Sequence, residues 1–459
     1  MTQEIPARTE LKRLLGVALP LIAAYLAEYA MFVTTKLVVG GLSYKHLAAV
    51  GLGGSMAHEV LVILMGVLSI TGVLAAQAEG AGDKPTAGQA ARQGLIVATV
   101  LGILMTVYVW NLDHILALTG QDEEVLALIG PYARAVAFFA LPALWFAALR
   151  DFIAALSRTR PVMYITVGAV GLNWLIAEAL VYGRWGMPEM GVAGAGVATA
   201  AVNWLMVIAL FAYVWRTPAL RGYGLFKSRL RVVWPVIREI TFLGLPVAGL
   251  VLVEAGMFMA VGLLTGVISA EALAAHQVLM GWIGLPFVVG LAIAEGTMVR
   301  TAYGIGRRDI AGARQAGMIG MTFGAGLILL TVAVPLLAAR EFVTIFISAN
   351  DPGFEDVAAI VVVLMSIAAV FQVFDALQVI AARSLRAVKD AYFPLWIGAF
   401  GYWVLGIGGG WLLAFPLGLG VTGLWYGLAA GLIVSACLLT WRFHIVTRNL
   451  MQRKSKAAA

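Results

Sequence analysis

Apolar residues run along this chain in stretches such as Val60–Ala76, Gly94–Trp110 and Gly244–Leu264, broken by short polar or charged segments. Runs of this length read as membrane-spanning helices, because roughly 20 helical residues cross a hydrocarbon core of about 30 Å. A helix satisfies its own backbone hydrogen bonds, which lipid cannot do. The pattern predicts twelve spans, near 14–39, 52–77, 94–112, 132–152, 162–183, 191–215, 240–264, 273–298, 316–338, 357–382, 392–414 and 420–441. Composition agrees: 62% of residues are hydrophobic and 12% charged, against about 25% charged in soluble proteins. The predicted class is an all-α integral membrane protein. The polar start MTQEIPARTELKR lacks a small-residue cleavage site, so the first span is expected to be retained.

Charge orients these spans. With both termini cytoplasmic, 26 of the 31 basic residues fall on the inner side, Arg150 among them, and only Lys36, Lys45, Arg134, Arg184 and Arg340 fall elsewhere. The net charge of +7 therefore needs no nucleic-acid partner. The single cysteine, Cys437, excludes a disulfide framework. Trp110, Trp185, Trp234 and Trp411 near span ends read as interfacial anchors.

The chain also repeats itself. Pro20, Glu28, Met31, Phe32, Gly40, Ser43 and Leu47-Ala48-Ala49 recur 226 residues later as Pro246, Glu254, Met257, Phe258, Gly266, Ser269 and Leu273-Ala274-Ala275. Further matches pair Gly80 and Gly82 with Gly304 and Gly306, Ile153–Ala155 with Ile380–Ala382, and Pro188, Gly191 and Gly194 with Pro416, Gly418 and Gly423. Six spans per repeat preserve orientation, so the halves are parallel repeats of the kind that rock around a central site. The expected organisation is two pseudo-symmetric six-helix lobes: 1–220, a cytoplasmic linker over 221–238, and 239–459.

Carboxylates within apolar spans are costly and mark ion or proton pathways. Candidates are Glu28, Glu59, Glu178, Glu254, Glu295 and Asp375. Gln372 and Gln378 flank Asp375 at three residues either side and extend a polar site. Glu28, as repeat mate of Glu254, is a second coupling candidate; its alternative is a packing contact to Lys36. Lys36 either snorkels to the interface or faces the cavity, where it would suit anionic or zwitterionic cargo. His58-Glu59 suggests a zinc-protease helix, but Val62 stands where the second histidine belongs, so no metal is expected. The pair is a cavity-lining candidate. His276-Gln277 reads as a local cap, and Glu295 with Arg300 as a pair at the end of a helix. No nucleophile-and-base set appears at diagnostic spacing, which argues against an intramembrane enzyme.

Several segments resemble a known family: Gly186–Thr199 (GMPEMGVAGAGVAT), Ala274–Gln277 (AAHQ), Leu156–Pro161 (LSRTRP), Phe371–Asp375 (FQVFD) and Ser384–Asp390 (SLRAVKD). The chain resembles the multidrug and toxic compound extrusion (MATE) family in its NorM-type bacterial branch, over essentially its whole length. The resemblance implies a V-shaped twelve-helix exporter in the bacterial inner membrane, driven by sodium or proton entry and expelling varied, often cationic aromatic compounds. It brings the spans of Glu254 and Asp375 together, where two carboxylates share a proton or surround a monovalent cation. It also implies two departures. Thr35 stands where the branch usually has an aspartate, and Phe371 stands where it often has a tyrosine, which removes a hydroxyl from the site. The expected protein is a monomeric, multi-pass antiporter without cofactors, its partners being the bilayer and small molecules, and its cavity including Lys36, Thr35, Phe371, Gln372, Gln378, His58 and Glu59. The alternative is a flippase or exporter of an anionic, zwitterionic or lipid-linked substrate.

Overall fold

The structure is a computed structural model that describes residues 6–118, 123–226, 231–348 and 352–458. Lys227 and Arg229 of the expected linker lie outside the described residues. Twelve helices long and apolar enough to cross a membrane are present among the described residues. They are α1 (Ala7–Gly40), α2 (Lys45–Gly80), α3 (Lys84–Trp110), α4 (Glu123–Ala155), α5 (Arg160–Tyr182) and α6 (Val192–Arg216). The second set is α7 (Trp234–Ile268), α8 (Ala270–Gly306), α9 (Ile310–Ala333), α10 (Phe354–Ala387), α11 (Tyr392–Ala414) and α12 (Gly420–Lys456). Several outrun their apolar stretches. The 34 residues of α1 measure about 51 Å at 1.5 Å per residue, well beyond the hydrocarbon.

Local chemistry sets the helix starts, and it carries the repeat. The Ser43 and Ser269 side chains accept from the backbone N–H of His46 and Ala272 as N-caps, both from extended backbone. Asp83 and Asp309 cap α3 and α9 in the same way, through the N–H of Thr86 and Gly312. Gly82 and Arg308, just before them, share the left-handed conformation. These pairs all keep the 226 offset, so Gly80 matches Gly306 rather than Gly304. The later matches shift too. α4 and α10 end at Ala155 and Ala387, each followed two residues on by a left-handed Ser157 or Lys389. The resemblance between Ile153–Ala155 and Ile380–Ala382 is therefore not the structural register. Gly191 corresponds to Gly420, both at positive φ at the start of α6 and α12, and Gly194 to Gly423 as expected.

The chain forms two compact units: Leu19–Ala248, and Met1–Ala18 together with Gly249–Ala459. The division falls inside α1 and α7, within two residues of Pro20 and Pro246, instead of at the basic stretch 221–238. Side-chain and backbone packing explain it. In the first unit Gly244 of α7 lies so close to the Val67 backbone of α2 that a β-carbon there has no room. In the second, Arg300 of α8 grips Glu10 of α1 through Nε–Oε1 at 2.7 Å and Nη2–Oε2 at 2.9 Å, and Gly296 meets Ala18.

The linker is fastened to the first unit. Gln93 donates to the Arg231 carbonyl at 2.9 Å and accepts from the Val233 N–H at 2.9 Å, while Arg92 donates to the Gly224 carbonyl at 2.7 Å. The Tyr223 hydroxyl donates to Glu79 at 2.8 Å. Burial, then the bond to Glu79 and its charge, push that phenol well above its ordinary value, so it stays a donor.

α11 has an irregular middle. Tyr392–Ala399 is α-helical, Phe400–Gly409 is π-helical, and Gly410–Ala414 is α-helical again. Glycines let this wide turn approach α12, and a β-carbon at Gly427 would run into Gly410. Gly427→Leu is therefore expected to destabilise the protein by about 1–3 kcal/mol, the usual cost of overpacking. Gly326→Ala, on an open face of α9, is the control and should be neutral or stabilising. Thermal melting in detergent reads both; a Gly427→Leu protein melting with the wild type would contradict the described α11–α12 approach.

Candidate functional site

In the unit containing α8–α12, Glu254 of α7 and Asp375 of α10 come within electrostatic reach of each other. Asp375 is 3% exposed, whereas Glu254 is half-buried. Two carboxylates in an apolar surround repel when both are ionised, so the pair favours a shared proton or an intervening cation. The family resemblance implied this meeting, and the helices bring it about.

Phe371 is fully buried and stacks edge-on to Phe258 at 6.2 Å and Trp425 at 5.8 Å between centroids. Gln372, 1% exposed, donates to the Ile283 carbonyl at 3.0 Å and ties α10 to α8. Gln378, also 1% exposed, lies against Tyr402 of the π-helical turn. Tyr402 is completely buried, and its phenol feels the charges of both Glu254 and Asp375. Among the described residues, Gln378 Oε1, Trp425 Nε1 and His276 Nδ1 make no hydrogen bond, and the Tyr402 hydroxyl makes none of standard geometry although the Gln378 side chain lies within its reach. His276 is buried edge-on to Trp425 at 5.7 Å, not simply a local cap. A buried polar group without a partner costs about 1–3 kcal/mol, so such a cluster calls for water or an ion. On the other side of the π-helical turn, Trp403 donates to the Val253 carbonyl at 3.1 Å, next to Glu254.

The unit Leu19–Ala248 treats its acid differently. Arg150 of α4 places Nη1 at 3.1 and 3.3 Å from the two Glu28 carboxylate oxygens. Its Nε is 3.6 Å from Asp151 Oδ1, and its guanidinium covers the Tyr25 ring at 4.9 Å. The Arg150 side chain is 8% exposed. It is an internal ion-pair partner within α4, and not the loop charge that the inner-side reading took it for. Glu28 therefore meets Arg150 and not Lys36. Thr35, expected in the cavity, is 7% exposed and points inward: it donates to the Met31 carbonyl at 3.0 Å and accepts from Asn173 Nδ2 at 3.0 Å. Lys36 is half-buried, its Nζ 4.1 Å from the centroid of Phe32. Phe32 stacks in turn on His58 at 5.5 Å. His58 and Glu59 are both exposed on α2.

Other sequence candidates resolve into ion pairs. Glu295 pairs with Arg383 of α10 and Arg300 with Glu10, so the expected Glu295–Arg300 pair does not form. Their shared place at one end of the eighth span suggested it, but five residues apart they lie on different faces of α8, which presents them to different neighbours. Glu178 pairs with Arg184 at 2.9 Å. Sequence reasoning missed Arg150, Asn173 and Tyr402. A lone arginine near a span end reads as a loop charge, and Tyr402 sits in a glycine-rich apolar run whose wide turn leaves no mark in hydropathy. The one available signal for Arg150 was its place inside the 132–152 stretch.

The sequence model of the MatE family matches this chain twice, over residues 20–178 and 246–412, starting at the two repeat-related prolines. A probable multidrug resistance protein NorM from Pseudomonas putida is 37% identical over 444 residues, covering 96% of each chain. The multidrug resistance protein NorM of Burkholderia vietnamiensis is 34% identical, covering 95% of this chain and 94% of that one. Among solved structures, a MATE protein in the bent conformation superposes with a TM-score of 0.88 at 19% identity, over 97% of both chains. The eukaryotic MATE transporter AtDTX14 gives 0.84 at 22% identity, over 97% of this chain and 99% of that one. With twelve membrane helices, a doubled family match and full-length relatives above 30% identity, the chain belongs to the MATE family of membrane transporters, in its NorM-type branch.

Proposed function

We propose that this transporter is a cation-driven antiporter that exports small organic compounds, with Glu254 and Asp375 as the coupling pair. The observation that carries the reading is the meeting of two carboxylates from apolar helices beside the buried oxygens of Tyr402 and Gln378. Four side chains thus bring oxygen ligands, the donor type that hard cations take, and the same carboxylates can instead hold one proton. Sodium and proton are both compatible with this donor set. Tyr402 brings back a hydroxyl that Phe371 lacks, from a different helix. Binding of the cation in one conformation and of cargo in the other makes the two exchange. The multidrug resistance names of the relatives support chemically varied cargo, and the family resemblance adds that such cargo is often cationic and aromatic. The charge asymmetry of the sequence supports a bacterial cytoplasmic-membrane location with both termini inside, and the protein is read as a monomer.

Glu28 has its charge met by Arg150, so it is assigned to holding α1 against α4 rather than to coupling.

Three outcomes follow from these assignments. In proteoliposomes, an inward sodium or proton gradient should drive export of ethidium, and Glu254→Gln or Asp375→Asn should cut that flux at least about tenfold, a loss of one charge-assisted contact or more. Flux indifferent to both gradients would sink the coupling claim. Tyr402→Phe should raise the cation concentration for half-maximal stabilisation several-fold while leaving ethidium affinity unchanged; an unaltered cation titration would remove Tyr402 from the site. Glu28→Gln should lower thermal stability by about 1.5–3 kcal/mol, because it removes a hydrogen bond to a charged group while the buried guanidinium keeps Asp151 beside it, yet keep gradient-driven flux. Loss of coupling in a Glu28→Gln protein that is still folded would return Glu28 to the cation pathway.

A further inference from the structure

Five basic residues, Lys36, Lys45, Arg134, Arg184 and Arg340, stand apart from the large basic set. Four of them are neutralised: Lys45 pairs with Glu124, Arg134 with Asp113 at 2.9 Å, Arg184 with Glu178 at 2.9 Å, and Arg340 with Glu355 at 2.5 Å. Lys36 has no ion-pair partner among the described residues. Its ammonium instead lies over the face of Phe32, a contact worth about 0.5–1 kcal/mol at exposed sites and more where water is excluded. The ring face offers no lone pair, so the three N–H donors stay uncommitted, whereas each of the other four cations has a carboxylate acceptor.

Lys36 also lines a cavity. A space of about 440 Å³ is bounded by Tyr29, Phe32, Val33, Lys36, Leu37 and Leu47, within the unit Leu19–Ala248. Drug-sized ligands occupy sites of roughly 300–1,000 Å³, mostly apolar with a few placed polar groups. Here the polar group is one cation and the walls are aromatic rings and aliphatic side chains. The Phe32 ring is itself backed by His58, whose plane lies 29° from it, so the ammonium is held at the cavity edge by a layered stack. Leu47 completes the far wall from α2.

From this geometry we propose that the cavity binds aromatic carboxylates, the anion on Lys36 and the ring system against Tyr29, Phe32 and the aliphatic wall. A carboxylate supplies the acceptors that the ammonium lacks, and an ion-paired hydrogen bond of this kind is about twice as strong as a neutral one. An aromatic amine at the same place meets a like charge and is disfavoured. The inference rests on the exporter reading only in regarding the ligand as cargo. Binding at equilibrium needs neither a gradient nor the carboxylate pair, and the cargo range thereby extends beyond cationic compounds to acids.

The test is calorimetric titration of the full-length protein in detergent with 2-naphthoate and, separately, with 2-naphthylmethylammonium. Wild type should prefer the naphthoate. Lys36→Gln should weaken naphthoate binding about tenfold or more, Lys36→Arg should restore most of it, and Gly326→Ala, on an open face of α9, should leave it unchanged. Equal or tighter binding of the ammonium probe to wild type overturns the proposal, whether or not any variant folds. So does Lys36→Gln binding naphthoate as the wild type does. A Glu254→Gln protein that binds naphthoate normally but still exports ethidium along a gradient leaves this site standing and removes the coupling assignment, so the two ideas fail separately.

Discussion

In hydrocarbon a charged group has only the partners that the protein itself supplies, and this constraint orders most of what is polar in the molecule. Transferring an ion out of water costs several kcal/mol even after relaxation, so a buried charge persists only beside an opposite one or beside something that comes and goes. The pairs Glu10–Arg300, Glu28–Arg150 and Glu295–Arg383 are of the first kind. Each joins two helices distant in sequence, and each breaks if either partner is removed. Glu254 and Asp375, two like charges within electrostatic reach of each other, belong under the proposed function to the second kind. The contrast between these two solutions locates the site more sharply than any single buried residue.

The two repeats share their framework but differ in chemistry. Their caps, their prolines and the glutamates on α1 and α7 all keep a common offset. What changed is the counterpart helix that meets the glutamate: α4 offers a guanidinium and α10 a carboxylate. The two pockets thus share a glutamate, but the charged partner enters from different positions of α4 and α10: in the register set by Ala155 and Ala387, Arg150 corresponds to Ala382 and Asp375 to Ala143. The π-helical turn of α11 adds a second difference, because it holds the completely buried Tyr402 within its own first residues. Such turns occur inside α-helices chiefly at functional positions.

Much of this was legible in the sequence and some of it was not, for identifiable reasons. The twelve spans follow from hydropathy, and Ser43 and Ser269 are legible as a repeat pair from their common offset, while their capping role emerges only in the structure. The meeting of Glu254 with Asp375 came from family resemblance, since nothing in spacing alone joins α7 to α10. Partner choice was the weak point. Glu295 and Arg300 lie on one helix and looked like a pair, but tertiary neighbours claimed both. Thr35 was read as cavity-facing, yet Asn173, 138 residues away, turns it inward. Side-chain direction on a helix that is apolar all round carries no periodic signal, so these errors share one cause.

The crossing of unit borders inside α1 and α7 has a consequence for how such a chain arose. Each unit is completed by the opening turns of a helix whose remainder belongs to the other, which is the arrangement of a domain-swapped pair. A six-span ancestor built on this plan would have been unfinished by itself, with an unfilled groove and a dangling helix start, and would have folded fully only when two copies traded those segments. Joining the copies through one linker then turned a bimolecular exchange into an intramolecular one. On this view the halves recorded in the sequence are units of inheritance, and the bodies that fold are something else.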